Sequence, residues 1–230
     1  MLKFWKRMNI LYERLILILL VLVLLVMTWC MYDSYYVYSH ALNDDILKYK
    51  PGQSDISPED PPLSDDMVAW ITLDGTNIDY PVMQGRDNVK YLNTDPFGKY
   101  SLSGSIFLDF RNSPDLSDDY SLLYGHHMEY GKMFGALDDY LDRSYLKDHS
   151  TGTLMIGKDG AKKYKLTVFA SMRASNREEV VFDPGKGDIR GFIKQHNQVY
   201  TQDPKGRILA LSTCAEGDFV SRTIVFCYIT

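Results

Sequence analysis

Leu15 to Met31, LILILLVLVLLVMTWCM, runs about 17 residues without a charge. A helix of that length, at about 1.5 Å per residue, sits near the lower limit for crossing the hydrocarbon core of a bilayer. Lys3, Lys6, Arg7 and Arg14 precede the run, and Asp33, Asp44 and Asp45 follow it. Basic flanks stay in the cytoplasm. This predicts a single-pass protein of the cell membrane: a cytoplasmic N-terminus over 1–14, a transmembrane anchor over 15–31, and everything beyond outside the cell. Trp29, Tyr32, Tyr35 and Tyr36 suit the outer interface, where aromatic rings collect. A cleaved signal peptide is the alternative. The bulky MTWCMYDSYY offers no small-residue cleavage site, and Trp29 before Cys30 is a poor lipoprotein site, so an uncleaved anchor is favoured.

Net charge is −5, and residues 1–14 carry +3, so the remainder carries −8. An acidic exterior argues against nucleic acid, which rewards basic faces. Residues 32–66 read as a lead-in. Its first part has the character of a helix, and KPGQSDISPEDPPLSDD, Lys50 to Asp66, reads as linker. Packed structure is expected from Met67, giving one domain over 67–230. There MVAWITL and NIDYPVM flank Asp74–Gly75, a hairpin-like turn. GSIFLDF, YSLLYGH, GTLMIG, KYKLTVFASM, RILALSTC and RTIVFCYIT bring the strand candidates to about eight. Helical spacing is confined to 133–149 and 188–200. Many strands and few helices predict a mainly β fold: a closed or nearly closed barrel with peripheral helices.

LALSTCAEG, Leu209 to Gly217, ends an apolar run on a cysteine in a chain with only three. A cysteine nucleophile reacts as thiolate and needs an acid–base partner, for which histidine is suited by its pKa. Attack on an amide also builds charge on the carbonyl oxygen, which a permanently charged arginine can hold. Cys214, His126 in LLYGHHM and Arg222 together form a chemically complete set for amide cleavage and acyl transfer. If 207–214 is a strand, Ala210, Ser212 and Cys214 share a face. In a last strand opening at Arg222, Arg222 shares its face with Ile224 and Phe226, while Cys227 lies opposite. The two strands would then meet across a loop over 215–221. A Cys214–Cys227 disulfide conflicts with this parity, and adjacent His126 and His127 point to opposite sides, which disfavours one shared metal ion. Plain alternatives stand beside this reading: a core cysteine, surface histidines and a solvated arginine.

The residues also resemble a known family. LSTC with an arginine in the next strand, and YGHHM upstream, is similar to the sortases, cysteine transpeptidases of Gram-positive surfaces. VAWITLDGTNIDYPVMQGRDNVKYLN, GSIFLDFRN, LLYGHHM…MFGAL and the long block before LSTC resemble class B in particular, over roughly 65–230. Ala210 stands where many relatives carry Thr. The resemblance implies a sortase-type eight-stranded β-barrel. It implies Cys214 as nucleophile, His126 rather than His127 as acid–base, and Arg222 as oxyanion holder, with Arg207 and Arg173 as weaker competitors. Ser212 and Thr213 are implied as cleft-lining, substrate-binding residues, and the 171–204 region as one groove wall. The implied partners are secreted surface proteins with a C-terminal sorting signal, cleaved after its Thr, and an amine acceptor from peptidoglycan or a pilin lysine. That chemistry requires no metal and no cofactor. The competing readings are a secreted cysteine endopeptidase that uses water and a non-catalytic surface scaffold.

Overall fold

The computed structural model describes residues 1–41, 44–53, 56–215 and 218–230, with side chains described outside 2–3, 37–45, 54–55 and 214–220. Two compact units emerge, 1–42 and 43–230.

The first unit is one helix, α1 (Leu2–Ala41). Its segment Phe4–Tyr36 is long and apolar enough to cross a membrane, so the helix extends well beyond the apolar run on both sides.

The second unit is built on β1 (Met67–Leu73), β2 (Asp79–Met83), β3 (Ile106–Leu108), β4 (Tyr120–Tyr124), β5 (Thr151–Ile156), β6 (Lys162–Ser175), β7 (Val199–Tyr200), β8 (Arg207–Ala215) and β9 (Asp218–Ile229). The order β5-β1-β2-β3-β4-β8-β9-β6 closes through β5–β6 pairing into an eight-stranded barrel, and β7 adds to β6 outside the ring. Closure leaves the eight strands with few exposed edges. Ala69, Ile71, Val82, Ile106, Leu123, Leu154, Leu166, Leu209, Leu211 and Val225, drawn from all eight staves, fill the interior.

β8 is buried on both faces. Leu209 and Leu211 point into the barrel. Ile208 and Ala210 join an outer core with Phe169, Ile224 and Phe226. That outer core is roofed by the insertion between β6 and β7, which carries α3 (Glu179–Phe182) and α4 (Ile189–His196). Val181 and Ile193 are the fully buried residues of the roof. Two-sided burial is why RILALS is apolar almost without alternation.

Three expectations are corrected. Helical spacing over 133–149 gives not one helix but a 3-10 segment, Gly135–Leu141, followed by α2 (Arg143–Asp148). The break is at Asp142, whose extended backbone and side chain cap the second helix through the N–H groups of Ser144 and Tyr145. Over 188–200, α4 stops at His196 and the chain straightens to form β7. Packing also begins before Met67. A 3-10 segment, Asp44–Tyr49, buries Ile46 and Tyr49 with Trp70, Met83 and Phe107. Lys50 then pairs with Asp79, which also accepts hydrogen bonds from Trp70 and Thr72.

Candidate active site

Three strand ends converge at one rim of the barrel. β4 runs parallel to β8 with Tyr124 opposite Ser212, and the Gly125 N–H donates to the Ser212 carbonyl at 3.1 Å. β8 runs antiparallel to β9 with Cys214 opposite Arg222. The chain from β4 therefore passes β8 just ahead of Cys214 and delivers His126 one residue later. The expected loop over 215–221 is corrected. β9 already begins at Asp218 and, past a register shift, Ala215 pairs with Asp218. Arg222 thus sits inside the strand, and its register against Cys214 is fixed by the ladder. The Cys214 side chain lies outside the described residues.

Gly125 is imposed by close packing. A Cβ there would sit 2.4 Å from Ile106 Cδ1 and 2.8 Å from the Phe134 ring. Phe134 in turn donates its N–H to the His126 carbonyl at 3.0 Å. His126 is half-buried, with Nε2 2.7 Å from the Leu92 carbonyl oxygen. A carbonyl only accepts, so Nε2 donates in this contact.

His127 goes elsewhere. Its backbone bridges Met133, and its Nε2 lies 3.3 Å from Asp138 Oδ2. Asp138 also accepts from the Thr223 hydroxyl. The two histidines thus serve different structures. Among the described residues, no group of three His, Cys, Asp or Glu could hold a metal ion.

Arg222 is half-buried, with its guanidinium carbon 5.9 Å from the centre of the Phe182 ring. Among the described residues no carboxylate pairs with it, which leaves its donors open. The competing arginines are engaged or distant. Arg207 donates to the Leu116 carbonyl at the opposite end of β8, across from Ile229. Arg173 lies opposite Thr223, 3.9 Å from Asp138. Ser212 and Thr213 are buried, and neither hydroxyl has a hydrogen-bond partner among the described residues. Cys227 is a free thiol inside the barrel, pushed up to about 12 by burial, and stays protonated.

One cluster escaped the sequence reading. Asp109, fully buried just past β3, accepts from Arg111 Nε and Nη2, Asn88 Nδ2 and the Tyr124 hydroxyl. Burial alone would raise its carboxyl, but the Arg111 and Asn88 hydrogen bonds outweigh that and hold it below the ordinary range. Tyr124 moves the opposite way: burial, then the Asp109 charge, raise its phenol far above the usual value. The available signal was FLDFRN, in which an acid and a base two residues apart interrupt a strand pattern.

A closed eight-stranded barrel with a cysteine, a histidine and an arginine brought to one rim defines a narrow class of protein. The family described as the sortase domain matches residues 71–230. Sortase B of Listeria monocytogenes is 35% identical over 161 residues, covering 66% of this chain and 64% of that protein. Sortase B of Staphylococcus aureus is 33% identical over 162 residues, covering 67% and 65%. The chain thus spans just under two-thirds of the length of these curated relatives. Among solved structures, a Streptococcus pyogenes class B sortase involved in pilus biogenesis superposes with a TM-score of 0.66 at 34% identity, covering 73% of this chain and 94% of that one. S. aureus Sortase B superposes with a TM-score of 0.64 at 32% identity, covering 73% and 83%. The chain belongs to the sortase family and, within it, to class B.

Proposed function

We propose that this protein is a membrane-anchored cysteine transpeptidase that cleaves a C-terminal sorting signal after its Thr and passes the acyl group to an amine. The observation that carries the reading is the convergence at the barrel rim: Cys214 in register with Arg222, and the Gly125–His126 turn bonded to the strand that bears Cys214.

In this reading His126 takes the proton of the Cys214 thiol, and the sulfur attacks the Thr carbonyl carbon as thiolate. The tetrahedral oxyanion lies against Arg222, whose charge has no competing carboxylate among the described residues. The C–N bond breaks as His126 protonates the departing amine, leaving a thioester. An incoming amine attacks the thioester, loses a proton to His126, and expels the Cys214 thiolate as the new amide forms. Ser212 and Thr213, buried and with no hydroxyl partner among the described residues, immediately precede the nucleophile on opposite faces of β8. α1 spans the membrane with 1–14 in the cytoplasm and holds the site outside, where secreted substrates arrive.

The acceptor is a primary amine from the peptidoglycan cross-bridge or a pilin lysine. Two relatives supply the analogy: Sortase B has been crystallised in complex with triglycine, and the S. pyogenes enzyme is involved in pilus biogenesis.

Intact-mass spectrometry tests the proposal. The protein is incubated with sorting-signal pentapeptides of the NPxTx and LPxTG types, with and without hydroxylamine or triglycine. An acyl adduct on Cys214 that the amine releases as a new amide is expected. Product that stays hydrolytic at every amine concentration would replace transfer with a cysteine endopeptidase. Unchanged peptide beside a freely alkylated Cys214 would favour a scaffold.

A further inference from the structure

We propose that Arg111 is a positioning residue for Arg222, acting through Phe182. The inference rests on the transpeptidase reading and deepens it.

Arg111 connects two parts of the chain far apart in sequence. On one side its Nε and Nη2 grip both oxygens of Asp109 at 2.8 and 2.7 Å. On the other, Nη2 donates to the Phe182 carbonyl at 2.6 Å and Nη1 to the Asp183 carboxylate at 2.7 Å. Phe182 is the last residue of α3, where a helix leaves its carbonyls without intrahelical partners. The preceding carbonyl, that of Val181, is taken by the buried Tyr120 hydroxyl at 2.8 Å. These two carbonyls at the end of α3 are thus tied to the barrel side, and the tie fixes the backbone from which the Phe182 ring projects. That ring is the surface over which the Arg222 guanidinium rests, 5.9 Å from its centre. A guanidinium over a ring face is attracted by the ring's negative quadrupole. Here no carboxylate among the described residues competes for it.

The division of labour follows from charge. Arg111 faces Asp109 and Asp183, so its charge is neutralised and its donors are committed. It is not equipped to hold an oxyanion. Arg222 has no such partner among the described residues and needs its direction set by packing. Asp109 reaches the same site a second way, because it also accepts from the Tyr124 hydroxyl at 3.0 Å, and Tyr124 stands two residues ahead of His126. Arg111 is suited to the link because its planar fork reaches several acceptors at once, whereas a lysine ammonium on a flexible stem is a single point charge.

Arg111→Lys is therefore the informative change: it keeps a cation beside buried Asp109 but breaks the bridge to Phe182. Arg111→Lys, Phe182→Ala and the double variant are compared with the unaltered full-length protein in detergent. Transfer of a cleavable sorting peptide to triglycine gives kcat and KM, and thermal unfolding reports integrity. We expect Arg111→Lys, assayed well below its own unfolding midpoint, to lower kcat about tenfold and to add nothing in the Phe182→Ala background. Parental kcat in Arg111→Lys, or losses that multiply in the double variant, would overturn the proposal. A parent that makes no amide with any peptide would fail differently, removing the transpeptidase reading and this inference with it.

Discussion

Gly125→Ala tests the packing that sets His126 in place. The added Cβ would sit 2.4 Å from Ile106 Cδ1 and 2.8 and 2.9 Å from two atoms of the Phe134 ring. Ile106 and Phe134 are both buried in the barrel interior, so neither can swing into solvent. Overpacking of this kind costs about 1–3 kcal/mol. In a domain of this size each kcal/mol lowers the unfolding midpoint by about 2–4 °C, so a fall of roughly 2–12 °C is expected. The catalytic effect should exceed what stability alone predicts. Phe134 holds the His126 carbonyl through its N–H, and the Gly125 N–H is bonded to β8 just before Cys214. Relief of the clash moves Phe134, Gly125 or both, and shifts His126 against Cys214. Misplacement by about 1 Å can cost on the order of 100-fold in rate. Differential scanning fluorimetry and peptide transfer, measured on the same preparation well below the midpoint, separate the two effects. A midpoint within a degree of the parent, or full transfer activity, would refute the reasoning.

Alanine at Cys214 or at Arg222 is expected to abolish transfer with the unfolding midpoint preserved, read by product mass and scanning fluorimetry. His126→Ala should lose transfer by about 1,000-fold or more. His127→Ala, which breaks only the 3.3 Å contact to Asp138, should lose less than about tenfold. Equal losses at the two histidines would reverse the assignment. Iodoacetamide at pH 8, followed by peptide mapping of the 43–230 unit, should label Cys214 and spare Cys227, whose thiol is buried and pushed up to about 12. The Asp109 carboxyl is held below its unfolded value, so the stability it contributes is full above about pH 4 and is lost as pH falls through the folded value. Asp109→Asn should therefore be clearly less stable than the parent to urea at pH 7, with the gap narrowing towards pH 2.5.

The parts of this molecule that repeat a local rule were legible in the sequence. Barrel staves such as MVAWITL and KYKLTVFASM carry the apolar pattern of sheet residues and appear where expected, the latter lengthened to Lys162–Ser175. Cys214, His126 and Arg222 stand out in the sequence because cysteine, histidine and arginine are chemically distinctive types. What the sequence hid depends on partners far away in the chain. Asp142 reads as one more residue of a helical pattern until its carboxylate is seen to cap α2. Ile46 and Tyr49 lie in a lead-in stretch that reads as a helix ahead of the domain, and they become core only because Trp70 and Met83 lie against them. Asp109 reads as part of the strand candidate GSIFLDF, with Arg111 just past its end. Their meaning arises from Tyr124, Asn88 and Phe182, and no periodicity announces those neighbours.

The same contrast explains how two arginines that both touch Phe182 differ in what they do. Arg111 is paired with a fully buried carboxylate, so its charge serves attachment. Burying an unpaired carboxylate would cost several kcal/mol, and the Arg111 hydrogen bonds offset that cost. Arg222 occupies a strand whose outer face is apolar, beside Ile224 and Phe226, and rests on an aromatic ring. A cation with no counter-charge among the described residues, in a half-buried, largely apolar setting, is less well solvated than one in open water. It therefore interacts more strongly with negative charge that appears nearby than it would in water. In the proposed mechanism that charge exists only while the tetrahedral intermediate exists. The arrangement thus favours the transition state over bound peptide, which is the condition for raising kcat rather than merely tightening binding. A carboxylate placed beside Arg222, for instance by Phe182→Asp, would neutralise it in the ground state and remove that difference.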